Sequence, residues 1–404
     1  MSALVTPGNL RSALAVTRSL GRRGVEVTVA DEHKKCLAGA SRYCRASLRV
    51  PSPARSGEAF VRAVRQEVGD KKHKVIIPAD DVTLSLITHA RSQFDGVAAL
   101  PFPDAETVQT AHDKGLLMTL AAENGIPVPR TVVVRGPADV GGAIRHVGLP
   151  AVVKARVSRV FVDGQWRAGS PVHYARTEAE LGAAVRVAQE IAPGPLVQEH
   201  IPGDGQGIFV LMSRGRLRAA FAHRRLREKP PSGGVSVLSE SVALDPKLLE
   251  HAERILEILK WHGVAMVEFK RDARDGEAKL LEINGRFWGS LQLAVDSGVD
   301  FPYLLYRLAI DGDIDPVFTY RVGVRLRWWL GDLDWLLLRL RERGRLARRL
   351  GAIPEFLRPA GKTARSEVYR RDDPAPALTE LSQYSHDVLR GALARLGRRR
   401  VSRA

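Results

Sequence analysis

The chain is poor in residues that could staple it together. Its 404 residues include two cysteines, Cys36 and Cys44, without the spacing of a zinc site. A disulfide framework is therefore excluded, and a reducing, cytoplasmic setting is expected. No apolar run reaches the ~18 residues of a membrane-spanning helix. The N-terminus moves directly into Ala3-Leu4-Val5-Thr6-Pro7, without the basic region and apolar core of a signal peptide. Where a dinucleotide fingerprint would need three glycines, only Gly8 is present. No Ser/His/Asp or Cys/His arrangement suggests a protein nucleophile. What remains is 45% hydrophobic and 26% charged, the composition of a globular protein of two or three packed units.

The formal net charge of +17 is concentrated at one end. From Arg321 onward, 20 Arg and Lys stand against 9 Asp and Glu, an excess of 11. The charge thus belongs to a tail and is no whole-chain signature of nucleic-acid binding. In that tail Trp328-Trp329-Leu330 and Trp335-Leu336-Leu337-Leu338 precede Arg339, Arg341, Arg343, Arg345, Arg348 and Arg349. Its aromatics cluster with leucines and are not interleaved with cations as stacking platforms, so nucleic acid is the least favoured partner. Two readings stay open. Trp and Leu pack onto the protein body or a second subunit while the arginines stay solvated, which is preferred, or the segment lies on an anionic membrane surface. Arg395 and Arg398 to Arg400 are read as a frayed basic terminus.

The first hundred residues read as Rossmann-like. Strands at 3–5 and 25–30 flank a helix over 10–20 ended by Gly21 and Gly24, and a helix near 57–68 leads to the strand Val75-Ile76-Ile77. Asp80 and Asp81 follow at a strand's C-terminal end, where open α/β sheets place ligands. Service as a helix N-cap is the preferred reading for either. A boundary is expected near 103–112, then a helix over 112–124, a strand over 131–134 and a helix over 137–147. The apolar strand Pro150–Lys154 ends on a lysine that needs an anionic ligand or a carboxylate beside it. A polar hairpin is expected over 156–174, a helix over 177–191, and strands at 196–201 and 207–212. Ala222 to Gly234 is a strand with cations on both faces that breaks into a Pro/Gly loop, and Ser232-Gly233-Gly234-Val235-Ser236 offers N–H groups and hydroxyls suited to anions. A helix over 246–261 comes next.

The strongest chemical signal lies between Val264 and Ser290. Val264–Lys270 and Ala278–Asn284 read as two strands joined by an Asp-Gly turn. Alternation puts Glu282 and Asn284 on one face, with Leu281 and Ile283 toward a core, and a hairpin brings Glu268 beside Glu282. Two carboxylates and an amide oxygen suit Mg²⁺ and poorly suit Zn²⁺. A solvated surface hairpin is the plain alternative. Against it, Glu268 sits in an apolar strand and Arg286 follows closely, placed to meet charge on a transferring phosphoryl group.

Taken in order, Lys114, Lys154, Gln198-Glu199-His200-Ile201, Glu268, Glu282-Ile283-Asn284 and Arg286 make residues 105–315 resemble an ATP-grasp ligase of the carbamoyl-phosphate-synthase-like branch. The segment Arg225 to Ser236 resembles ATP-grasp carboligases. The resemblance implies an α/β and α+β chain: a Rossmann-like pre-ATP-grasp domain (1–105), a first ATP-grasp lobe (106–195), a second lobe with the metal site (196–320) and a basic helical C-terminal extension (321–404). It implies ATP, with phosphates held by Lys114 and Lys154 and adenine read by the Glu199 C=O and Ile201 N–H. Gln198 lies in that strand, and Asp204 is the weaker candidate for the ribose. Glu268, Glu282 and Asn284 would hold Mg²⁺, or Mn²⁺ in its place, while Arg286, assisted by Arg225, would stabilise the γ-phosphoryl group. The implied reaction joins a small-molecule carboxylate to an amine or other nucleophile through an acyl phosphate, releasing ADP and phosphate. The alternative is a non-catalytic nucleotide-binding or membrane-associated scaffold. A homo-oligomer and peripheral membrane contact through the tail are compatible with either. The acceptor pocket would draw on Asp80, Asp81, Arg225, the Ser232–Ser236 loop and Trp288. One departure is the segment Arg156–Ser170, which has only Gly164 and Gly169 where many members carry a Gly-rich loop, together with Arg156, Arg159 and Arg167.

Overall fold

The structure, a computed structural model, describes residues 1–401 except 232, 343–345, 359–360 and 362–363; the side chains of 348 and 391–401 are also outside the description. The N-terminal layer is a parallel sheet of β1 (Ser2–Thr6), β2 (Glu26–Asp31), β3 (Ala46–Arg49) and β4 (Val75–Pro78), in the order β3-β2-β1-β4. Ala3-Leu4-Val5 and Val75-Ile76-Ile77 are wholly buried, as continuous apolar runs are in a sheet covered on both faces. Helices α1 (Arg11–Arg22), α2 (Gly57–Lys71) and α3 (Asp81–His89) complete this unit. Gly24, at φ +76°, takes the left-handed position that closes α1. Gly21 lies within the last turn instead, where a Cβ would come within 2.6 Å of the Tyr43 carbonyl. Asp80 caps α3 through the Thr83 N–H at 2.8 Å.

The helix expected over 112–124 is two helices, α4 (Ala105–His112) and α5 (Lys114–Glu123). The break is Asp113, whose carboxylate accepts from the Gly115 and Leu116 N–H groups and so caps α5. Lys114 becomes the first residue of a helix rather than an interior one.

A second, antiparallel sheet follows from β5 (Thr131–Val133), α6 (Val140–Val147) and β6 (Ala151–Lys154). The hairpin β7 (Arg159–Val162) and β8 (Gln165–Ala168) interrupts it before β9 (His173–Ala175), α7 (Glu178–Ile191) and β10 (Leu196–Glu199). The sheet order is β5-β10-β6-β9, so the Gln198-Glu199 strand belongs to this first lobe. In the β7–β8 turn, Asp163 and Gly164 both have positive φ, 51° and 74°, as a two-residue hairpin turn requires.

The second lobe is one seven-stranded sheet, β15-β14-β11-β12-β13-β16-β17. Its elements run β11 (Gly205–Ser213), β12 (Arg216–Lys229), β13 (Val235–Val242), α8 (Pro246–Ile258), β14 (Gly263–Arg271), β15 (Ala278–Asn284), α9 (Leu291–Ser297), α10 (Phe301–Asp311), β16 (Arg325–Arg327), α11 (Trp329–Arg341), α12 (Leu346–Leu350), α13 (Ala352–Leu357), β17 (Ala364–Ser366) and α14 (Ala375–Val401). The tail therefore supplies two strands of the sheet. Trp335 is buried against Val237 and Ala352, and the Arg11 guanidinium lies 3.9 Å above the Trp328 ring. Trp328 and Trp335 pack on the body, as preferred above, while Trp329 is half exposed. Residues 364–373 return to the N-terminal unit, where buried Arg18 in α1 holds the Asp373 carboxylate at 2.8 Å and the Val368 carbonyl at 2.8 Å. No helix among the described residues is long and apolar enough to cross a membrane.

Candidate functional site

Strands β14 and β15 form the expected hairpin, and their register sets Glu268 opposite Glu282 and Met266 opposite Asn284. A bulge beside Glu268 pairs Phe269 with Leu280. Leu281 is thereby the extra residue, and it lines the cleft rather than entering the core as alternation predicted. Leu280 and Ile283 are the buried pair.

Each acidic group faces a cation. The Arg225 guanidinium donates to Glu268 at 2.8 Å and to Glu228 at 2.9 Å. Lys114 Nζ lies 3.3 Å from the Glu282 carboxylate and donates to Ser158 Oγ at 2.9 Å. The Asn284 amide donates to Glu282 at 2.9 Å, and its oxygen accepts from Arg286 at 3.2 Å. Arg286 is anchored in turn by Asp81 of the N-terminal unit, at 3.1 Å. Thus Lys114, Arg225 and Arg286 touch carboxylates or the amide here. The Lys154 ammonium makes no hydrogen bond or ion pair among the described residues, although its backbone is part of the β6–β10 ladder.

Burial sets the protonation of this group. It pushes the Glu268 carboxyl up, an effect that Arg225 offsets only in part and Glu282 reinforces. Burial also opposes charge on Glu282, but Lys114, the Asn284 amide and Lys154 outweigh it and hold that carboxyl below its ordinary value. The Lys154 ammonium is pushed down to about 8, first by burial and then by Lys114, with Glu282 and Glu268 compensating in part. Glu268 is the under-compensated member. A divalent cation between the two carboxylates would relieve it, and an all-oxygen donor set is what Mg²⁺ takes. Among the described residues no cluster of three or more His, Cys, Asp or Glu could hold a metal; the third donor would be the Asn284 amide.

Lys114, Lys154, Gln198, Glu199, Ile201, Asp204, Arg225, Glu268 and Glu282 all line one cleft of about 820 Å³ between the two lobes, within the size range of small-molecule sites. Gln198 donates to Thr131 Oγ1 at 2.8 Å. The Ile201 N–H finds no acceptor among the described residues. The Glu199 side chain is a clamp: Arg130 meets it at 3.2 Å and Arg274, from the β14–β15 turn, at 2.7 Å. Burial disfavours the Glu199 carboxylate, yet these two guanidinium groups bring its pKa down to about 2. Its side chain therefore ties the first lobe to the second.

Asn284 faces an adjoining cavity of about 260 Å³, which shares Lys114, Ser158 and Glu282 with the cleft and also contacts Asp81, His112, Arg159 and Trp166. Neither Asp81's link to Arg286 nor the positions of His112, Ser158 and Trp166 had a local sequence signal, since the partners lie far apart in the chain. Trp288 lines neither the cleft nor this cavity. It is buried among Phe209, Phe287 and Phe301, because its strand-to-helix segment turns its ring into the core. Of the Ser232–Ser236 loop, Gly233 and Gly234 line the large cleft, while residue 232 is outside the described residues. Arg156 binds Asp113 at 2.6 Å and Arg167 lies 3.5 Å from Asp163, leaving Arg159 as the hairpin cation with no ion pair among the described residues.

Residues 192–330 match the family described as ATP-grasp in the biosynthetic pathway with Ter operon. Over 241 residues the chain is 23% identical to D-aspartate ligase of Enterococcus faecium, covering 57% of each protein. It is 26% identical over 247 residues to N5-carboxyaminoimidazole ribonucleotide synthase of Pseudomonas aeruginosa, covering 59% of this chain and 65% of that protein. The chain thus spans less than two thirds of these relatives. The biotin carboxylase–βγ-ATP complex from Campylobacter jejuni superposes with a TM-score of 0.65 at 18% identity, over 80% of this chain and 74% of that one. By the family match and these likenesses residues 192–330 belong to the ATP-grasp superfamily, and the likeness of fold extends over 80% of the chain.

Proposed function

We propose that this protein is an ATP-dependent carboxylate–amine ligase that works through an acyl phosphate. The observation that carries the reading is the convergence of Glu268 and Glu282 with Lys114 and Lys154 on the 820 Å³ cleft, with Asn284 bonded to Glu282 on the wall of the adjoining cavity. ATP would lie in that cleft with adenine against the Glu199 C=O and Ile201 N–H, near Gln198, and its ribose toward Asp204. Glu268, Glu282 and Asn284 would hold Mg²⁺, which when bound supplies charge neutralisation to the triphosphate. Lys154, already in a low-dielectric wall and lacking a partner, would gain one in a phosphate oxygen. Arg225 and Lys114 would exchange their carboxylates for phosphate oxygens.

The acceptor side would be the 260 Å³ cavity on the far side of Glu282. Arg159 and Trp166 join it to a further pocket of about 200 Å³ at the C-terminal ends of β1, β2 and β4, lined by Asn9, Asp31 and Asp80. A carboxylate oxygen of the first substrate bonds to the γ-phosphorus as the bond to the β,γ-bridging oxygen breaks, and ADP leaves. The amine nitrogen then bonds to the acyl carbon and loses its proton, and the carbon–oxygen bond to phosphate breaks. Arg286, anchored by Asp81, would stabilise charge on the transferred group, and closure of the lobes over the cleft would keep water from the acyl phosphate.

The test is ADP and phosphate release across pooled carboxylates and amines, with products verified by mass. Glu282→Gln should reduce Mg²⁺-dependent turnover by about 100-fold or more with an unchanged circular dichroism spectrum. Turnover at the parent rate would remove the metal assignment.

A further inference from the structure

The segment carrying α12 and α13 is apolar on two faces. Its inner face, Ala352 and Phe356, packs on Trp335, Val237 and Leu336. Its outer face presents Leu346, Leu350, Ile353 and Leu357, which are 62%, 49%, 37% and 68% exposed. These recur at intervals of four, three and four residues, a single stripe along two consecutive short helices. A helix apolar all round is normally buried, and nothing among the described residues covers this one. The sequence around them is strongly basic, with seven arginines against Glu342 and Glu355 from Arg339 to Arg358. Arg341 and Arg358 are exposed beside the stripe.

We propose that α12 and α13 form an in-plane docking surface for an anionic lipid bilayer, with the leucine stripe in the acyl boundary and Arg341 and Arg358 among acidic headgroups. Charge complementarity selects this occupant. A second copy of the chain would bring the same arginine excess to the interface, so like charges would meet around the stripe. A bilayer rich in acidic lipid supplies both an apolar layer and the counter-charge. Neither helix exceeds six residues, so the contact is peripheral. It lies in the tail, apart from the cleft residues assigned to ATP, and it does not depend on the ligase reading.

The test is sedimentation of the full chain with vesicles of phosphatidylcholine alone and of phosphatidylcholine mixed with phosphatidylglycerol in equal parts. Binding should be confined to the mixed vesicles and should weaken as salt rises past the point where the screening length falls to a few ångströms. The double variant Leu350→Glu, Leu357→Glu changes only exposed side chains. It should partition about tenfold or more weakly and melt at the parent temperature. Equal sedimentation of variant and parent would overturn the proposal, as would absence of binding to the mixed vesicles. A parent dimer in light scattering that the same variant disperses, with no vesicle binding, would assign the stripe to a second copy and equally overturn it.

Discussion

Lys154 offers the sharpest test of the cleft, because its cost to the free protein and its use to the ligand have opposite signs. Its ammonium ends an apolar strand, is buried, and makes no ion pair among the described residues. With the pKa down to about 8 from an ordinary 10.5, holding the charge at neutral pH costs up to about 3 kcal/mol, at ~1.4 kcal/mol for each pH unit. Lys154→Met keeps the side chain's length and removes that cost. The variant should therefore be more stable than the parent without nucleotide, by about 1–3 kcal/mol at pH 7. The sign follows from linkage. Between the folded value near 8 and the unfolded value near 10.5 the unfolded chain binds more protons, so parent stability rises with pH across that window. The advantage of Lys154→Met should shrink over the same window. Adding MgATP should reverse the order, since ligand stabilisation scales with affinity and the variant lacks a phosphate contact. Urea unfolding at pH 7 and pH 10, with and without MgATP, reads all of these effects. A variant less stable than the parent without nucleotide, or equally protected by MgATP, would refute the reasoning.

Asp373→Ala should destabilise by about 3–5 kcal/mol, because it strands the buried Arg18 guanidinium without its counter-charge; chemical denaturation measures it, and a change below 1 kcal/mol would show that the three carbonyl acceptors of Arg18, on residues 367, 368 and 373, suffice. Glu199→Gln should loosen the link between lobes, lowering stability by about 1–2 kcal/mol and weakening ATP binding. In the parent the Glu199 contribution is present above the ordinary carboxyl range near 4.5 and is lost as pH falls through its folded value near 2, so the parent–variant difference should vanish in acid melts. Truncation before Arg325 removes two sheet strands and uncovers the edge of β13; the expected result is insoluble protein, and a soluble, ATP-binding fragment would show the tail to be an appendage.

Sequence alone determined much of this protein, wherever the signal was periodic and local. Continuous apolar runs separated by a helical segment gave the parallel N-terminal layer, since burial on both faces leaves no polar alternation. Alternation through Glu282-Ile283-Asn284, with an Asp-Gly turn upstream, placed the oxygen donors on one face. The limits were equally physical. One bulge beside Glu268 moved Leu281 from the core to the cleft, because a single extra residue inverts the side-chain period of two. An Asp113 cap split one expected helix in two and set Lys114 at an N-terminus.

Only the tertiary structure decided which charges meet. Asp81 and Arg286 are 205 residues apart, Arg18 and Asp373 are 355 apart, and no periodicity connects them. The tail shows the same division. Trp328, Trp335, Leu346 and Leu357 are alike in composition and lie close in sequence, yet two face the body and two face outward. Hydrophobicity states that an apolar side chain gains by leaving water. Where it goes depends on the surfaces that the rest of the fold has left unfilled, here Val237 of β13 against Trp335 and Arg11 of α1 over Trp328.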